Sequence, residues 1–189
     1  MTDVPFSCPC GEIKGTLHHA DAPRGNHVRC YCSACRAALV YTTGVDPEDR
    51  GVVLFQTTPD KISFSQGREN LAVFSFSPRG LLRWRASCCG VPLFTMLRTP
   101  RFALVGMMTD LLEDTSSIGP VAMEAFIPQP DGTTRHSNGI RLYGGTIWRA
   151  LVARVSGRWK QTPFFNIETD APSAPVHLVT EDERATLPF

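Results

Sequence analysis

The chain has no apolar run approaching the roughly 20 residues that a membrane-spanning helix needs. It also has no excess of either charge: 19 basic and 18 acidic residues are intermixed and sum to a formal +1. That balance forecasts neither a nucleic-acid footprint nor an anionic-lipid surface, and it excludes partners selected by bulk charge. The first residues, MTDVPFSCPC, lack the basic stretch followed by an apolar core that export requires, so the expectation is a cytoplasmic chain with reduced thiols. No repeat of solenoid period and no low-complexity tract is visible. A phosphate cradle is excluded as well. The glycines of YGGT have neither a strand-Gly-x-Gly-x-x-Gly unit nor a Walker lysine beside them, and they read as the start of a helix.

Cysteine, by contrast, is plentiful. Seven stand among 189 residues, an odd number that does not suit a complete disulfide framework and, in a reducing compartment, points to metal or redox chemistry. They fall in three stretches: Cys8 and Cys10 in SCPCGE, Cys30, Cys32 and Cys35 in RCYCSACRA, and the adjacent Cys88 and Cys89 in ASCCGVPLF. Thiolate-bound zinc demands short Zn–S bonds in a tetrahedron, so ligands close in sequence must sit on a tight turn. Gly11 and Gly90, each directly after a cysteine, supply the backbone freedom for such a knuckle.

The simplest pairing joins Cys8 and Cys10 to Cys88 and Cys89 as a closed four-thiolate site. A structural zinc of this kind contributes on the order of 10 kcal/mol to folding in small peptides. Its weak point is the vicinal pair, because neighbours on a strand point to opposite faces and can share a metal only across a kink or bulge. The trio Cys30, Cys32 and Cys35 is different in kind. Three thiolates leave one corner of a tetrahedron for water or an incoming thiol, the ligand count of a catalytic zinc, unless His27 or Cys88 arrives as a fourth ligand and closes the site. A third reading keeps the thiols without metal, as a redox dithiol through the C-x-x-C of Cys32 and Cys35.

Around these motifs the chain reads as mainly β. Short alternating segments, Gly11 to His19, Gly51 to Thr58, Lys61 to Gly67, Asn70 to Ser77 and Gly80 to Ser87, follow one another with turn residues between them and predict an antiparallel meander. In SPRGLLRW, Trp84 reads as a core residue between exposed Arg83 and Arg85. The stripe Ile147, Leu151 and Val155, with Trp148 and Val152 alongside, predicts a helix over Gly144 to Ser156 that buries this face. Arg149, Arg154 and Arg158 then lie on its outer side or at its end. The proline-bearing tail is expected as an extended strap with a short acidic turn. His18, His19 and His136 read as solvent-facing, and Asp110, Glu113 and Asp114 as a solvated face.

Four motifs, CPCGEIKG, CYCSACRA, FSQGRENLAVFSFSPRG and CCGVPLF, resemble those of the glutathione-dependent formaldehyde-activating enzyme family, which is built on the β-tent fold. The resemblance spans roughly residues 6 to 97. It implies a zinc-binding β-tent domain over residues 1–99, followed by a C-terminal α/β extension over 100–189. It further implies a structural zinc at the first and last motifs and a second, catalytic zinc on Cys30, Cys32 and Cys35 that meets the thiol of glutathione. The implied activity is that of a carbon–sulfur lyase, forming or cleaving a thiol adduct of a small aldehyde such as formaldehyde. Arg36, directly after the trio, is then a candidate for holding glutathione's carboxylates, or else a solvated surface arginine. The family's last motif is C-x-x-C-G, and here its first cysteine falls at Ala86. The rival classes are a non-catalytic zinc module that presents its sheet to a protein and the thiol redox protein.

Overall fold

The computed structural model describes residues 2–189. The chain is mainly β, as the alternating segments predict. Its first strands are β1 (Val4–Ser7), β2 (Lys14–Leu17) and β3 (Asn26–Cys30), after which helix α1 (Ser33–Thr43) intervenes. Then come β4 (Val52–Thr57), β5 (Ile62–Gln66), β6 (Leu71–Ser75), β7 (Leu82–Ala86), β8 (Pro92–Met96) and β9 (Val105–Met108). The remainder comprises β10 (Met123–Pro128), β11 (Thr134–Ser137), helix α2 (Gly139–Val155), the short strands β12 (Phe165–Asn166), β13 (Ala171–Pro172) and β14 (Val176–Leu178), and helix α3 (Glu181–Ala185).

Strands β1, β2 and β5 form a small antiparallel sheet, and nine others form a large one in the order β11-β10-β3-β4-β9-β8-β7-β6-β14. A meander exists, but it runs through β6, β7, β8 and β9; β5 leaves it to pair with β2, where Gly15 faces Phe64 and Leu17 faces Ile62. Residues 1–99 and 100–189 share the large sheet, since β8 and β9 are hydrogen-bonded neighbours and β10 lies parallel to β3. The tail adds β14 parallel to β6 and closes with α3, whose capping box between Thr180 and Glu183 satisfies the helix start.

The main core lies where the small sheet packs on the large one. Ile13, Gly15 and Leu17 alternate inward as the sequence pattern requires. Phe6 is fully buried, with its ring edge-on to Phe64 and Phe94, each at 5.7 Å between centroids. Trp84 is buried as expected and packs on Phe164. Its neighbour Arg83 is not exposed. Strand β7 is central, and its second face is covered by α1, so Arg83 is buried too and Arg85 lies over the Tyr41 ring.

Helix α2 departs most from expectation. It begins at Gly139, five residues before the expected start, so the YGGT glycines lie inside it. Its buried residues are Leu142, Ala150 and Ala153, while Ile147, Trp148, Leu151 and Val155 face outward. Arg149, expected outside, is turned toward the body, with Nη2 buried and unpartnered. The small inner residues let the helix lie close to the sheet, where Asn26 of β3 donates from Nδ2 to the Leu142 carbonyl and the Thr146 hydroxyl. Periodicity identifies a face but not which side of it meets the core. Among the described residues, no helix is long and apolar enough to cross a membrane.

The contrast between Phe6 and the α2 stripe is measurable by urea unfolding of the full chain. Phe6→Ala should cost about 3–5 kcal/mol, because the ring leaves an enclosed cavity. Leu151→Ala should stay within about 0.5 kcal/mol of the parent, as an outward-facing position does. Equal losses would show that the stripe is buried after all.

Candidate metal centres

The first cysteine motif leaves β1 and turns at once. Gly11, at φ 78°, donates its N–H to the Cys8 carbonyl, and the Ile13 N–H points at Cys8 Sγ at 3.2 Å. The vicinal pair sits in the turn between β7 and β8 rather than on a strand. Gly90, at φ 80°, donates back to the Ala86 carbonyl at 2.8 Å, and the ladder shifts register beside Trp84. In a turn the alternation of strand side chains no longer applies, so both thiols reach the same point. Cys8, Cys10, Cys88 and Cys89 have all their sulfurs within 4.8 Å of one another. The separations are 3.3 Å for Cys8 to Cys10, 3.3 Å for Cys10 to Cys88 and 3.9 Å for Cys8 to Cys88. Tetrahedral thiolate coordination at the Zn–S length sets neighbouring sulfurs about 3.8 Å apart, so this donor set fits a metal ion. Ala86, where the formaldehyde-activating pattern has a cysteine, is buried in the core instead.

The trio is built on a strand-to-helix junction. Cys30 ends β3, Cys32 is the N-cap of α1, and Cys35 lies in the first turn of that helix. The Cys35 N–H donates to Cys32 Sγ at 3.4 Å, so one sulfur caps the helix, and the positive end of the helix dipole lies against the cluster. The three sulfurs lie within 4.8 Å of one another, with Cys30 and Cys32 3.4 Å apart. Among the described residues no fourth Cys, His, Asp or Glu joins them. His27 is on the opposite face of β3 from Cys30 and bonds the Gly119 carbonyl through Nδ1 at 2.7 Å. Cys88 belongs to the other group.

Charge is shared unequally in the trio. Hydrogen bonds from Cys30 and then Cys35 hold the Cys32 thiol down at about 3, and the same contact raises Cys30. At Cys35 a lowering by Cys30 is outweighed by Cys32 and by burial, so that thiol is pushed up to about 11, and the positive charge of Arg83 is a minor opposing influence on Cys32 and Cys35. Arg83 is only 6% exposed, its guanidinium stands 5.5 Å from the Phe76 ring, and among the described residues no carboxylate pairs with it. A buried cation without a carboxylate needs another negative partner, and thiolates of the trio, which shares a small cavity with Arg83, would supply one. Were the three thiolates to hold a divalent ion, the site would carry a net single negative charge, which Arg83 would offset. The sequence gives no signal for this role, because the covering helix α1 is itself not evident in it.

Arg36 is placed differently from the trio. Its guanidinium forks onto the Asp46 carboxylate at 2.6 and 2.7 Å, and the pairing holds the Asp46 acid down to about 2. His18 pairs with Asp3 near the surface, His136 packs against Phe126 and Tyr143, and Asp110, Glu113 and Asp114 are exposed. The trio forms part of the wall of a cleft of about 390 Å³, and its other walls come from β3, β4, β8, β9, the segment between β8 and β9, β10 and α2, with Leu81. A separate small cavity of about 30 Å³ lies behind it, bounded by Cys35, Arg83, Trp84 and Thr95. Among the described residues, Trp84 Nε1 and Thr95 Oγ1 find no hydrogen-bond partner.

Residues 1–138 match the model of a family of unknown function, DUF6151, and the chain belongs to that family. Comparison with curated proteins gives no match. Among solved structures, a Rhodobacter sphaeroides protein determined by structural genomics is similar, at 21% identity and a TM-score of 0.45 over 64% of this chain and 98% of that one.

The charge argument for Arg83 predicts a selective effect. Arg83→Met should weaken metal retention at the trio by about 10–100-fold, the usual scale for an outer partner of a metal site. Retention at the four-sulfur site should be unchanged, and Arg83→Lys should restore part of the loss. Competition with a graded chelator measures both sites in one titration, and equal weakening at both would show a merely structural role.

Proposed function

We propose that this chain is a zinc-dependent enzyme of carbon–sulfur chemistry, joining a thiol to an aldehyde or cleaving such an adduct. One observation carries the reading: three sulfurs converge at the wall of an open cleft with no fourth protein ligand beside them. The resemblance of the four cysteine-bearing and strand motifs to the formaldehyde-activating family supports it. Cys30, Cys32 and Cys35 would hold the ion, which when bound supplies a site that keeps an incoming thiol deprotonated at neutral pH. The second group, Cys8, Cys10, Cys88 and Cys89, completes four ligands by itself and would brace the fold.

The chain's own groups then have distinct tasks. Cys32, as helix cap, fixes the trio on two rigid elements, and Arg83 offsets the negative charge that accumulates as a further thiolate enters. The apolar walls exclude water and strengthen every charge interaction within. The thiolate sulfur attacks the aldehyde carbon, the carbonyl π pair moves to oxygen, and the proton given up by the thiol ends there. The product is a thiohemiacetal, and the reverse step releases thiol and aldehyde.

A non-catalytic binding module is the second reading, and the outward apolar stripe of α2 favours it. It requires no vacant ligand position at the trio. The redox reading requires no metal at all.

Metal analysis of protein purified without chelator separates the three. About two zinc ions per chain are expected, falling to about one in Cys32→Ser. Cys32→Ser should lose thiol-dependent turnover with little change in melting temperature, whereas Cys10→Ser should lower the melting temperature markedly. Metal-free protein, or an equal collapse of stability in both variants, would overturn the enzymatic reading.

A further inference from the structure

The cleft beside the trio has a composition that selects among thiols. Its volume, about 390 Å³, lies within the range of small-molecule sites. Leu97, Phe102, Leu104, Phe126, Tyr143 and Ile147 contribute much of the wall, and among the described residues no Asp, Glu, Lys, Arg or His lines it. The polar side chains on it are uncharged: Gln56, Thr95, Thr146 and the Tyr143 phenol. None of the cations nearest the trio lines the cleft, and Arg29, directly before Cys30, donates to the Arg50 carbonyl. Arg83 bounds the small cavity behind the sulfurs rather than the cleft, and Arg36 is held by Asp46.

The mouth of the cleft is apolar as well, and one residue there is held by strain. Phe126 has φ 58°, a left-handed backbone that a bulky side chain rarely adopts, at a register shift in the β10–β11 ladder. Its N–H donates to His136 Nδ1 at 3.2 Å, and its ring meets the His136 ring edge-on at 4.9 Å. Such a conformation persists only where the surroundings enforce it, and bulges of this kind re-aim a side chain toward a site. Here the re-aimed side chain is a phenyl ring at the cleft, 40% exposed, with Ile147 from α2 also on the wall and 58% exposed.

We propose that the thiol taken up at the trio is apolar and uncharged, of the alkyl or aryl class, and that glutathione is a poor ligand of this chain. The inference rests on the open-position reading of the trio. Glutathione brings two carboxylates and an ammonium, and within the cleft each would lose water without gaining a charged partner. An alkyl chain instead transfers its surface from water to the leucine, phenylalanine and isoleucine walls. Each added methylene should tighten binding about fourfold while the chain remains inside the cleft.

The test uses the full chain with cobalt(II) in place of the native metal, titrated with ethanethiol, butanethiol, hexanethiol and glutathione. The readout is the thiolate-to-cobalt charge-transfer absorbance gained at the trio, with Cys32→Ser protein subtracted. The expected result is an affinity that rises along the alkyl series, with glutathione at least tenfold weaker than hexanethiol. Phe126→Asp should flatten the series without changing cobalt content, and Ile147→Asp does the same from the opposite wall should the first variant fold poorly. Glutathione binding as tightly as hexanethiol, or affinity independent of chain length, would overturn the inference while leaving the open position intact. No added band with any thiol would overturn both.

Discussion

Everything that this chain places around its trio depends on the junction where β3 becomes α1. A strand fixes Cys30 by its ladder, with β4 on one side and β10 on the other. The N-cap and first turn of a helix fix Cys32 and Cys35 by backbone geometry that cannot slide. The C-x-C-x-x-C spacing is therefore the spacing at which a strand end, a cap and a first-turn residue converge. Two stiff elements meeting at one point hold sulfurs more tightly than a loop would. The helix that starts there also covers β6 and β7, which is how Arg83 comes to lie buried beside the same cluster.

What was legible in the sequence was what has a local cause. Ile13, Gly15 and Leu17 alternate because strands do, and Gly11 and Gly90 reverse the chain at knuckles because their backbones adopt a positive φ. The grouping of Cys8 and Cys10 with Cys88 and Cys89 was also legible, since two short motifs needed each other to complete four ligands. What escaped was set by distant packing. Arg83 reads as exposed until α1 is seen lying over β7. The α2 stripe reads as core until Gly145, Thr146, Ala150 and Ala153 are seen against the sheet. The cleft escaped for the same reason, because its walls come from segments between residues 28 and 147 that no spacing rule connects.

The two cysteine groups divide the labour by geometry. One brings four sulfurs together, enough to complete a tetrahedral site, and joins the hairpin of β1 and β2 to the turn between β7 and β8. The other gathers three sulfurs at the wall of a cleft lined by apolar side chains. The small sheet and the large sheet are thus joined at one end by sulfur and elsewhere by the aromatic cluster of Phe6, Phe64, Phe94 and Phe164. Apolar burial and sulfur clustering thus act at separate places on the same sheet-to-sheet interface, and metal ligation would make the second an independent restraint.

The groups differ, finally, in how far apart their members lie along the chain. Cys8 and Cys88 are 80 positions distant, so four-fold ligation there must await nearly half of the polypeptide and must close a long loop. Cys30, Cys32 and Cys35 are joined by only a few bonds, and a nascent chain emerging from the ribosome presents all three at nearly the same moment. Were this protein metallated during synthesis, the order would be built in: the local triad could capture an ion early, and the long-range clasp could lock only when the β7–β8 turn had been made.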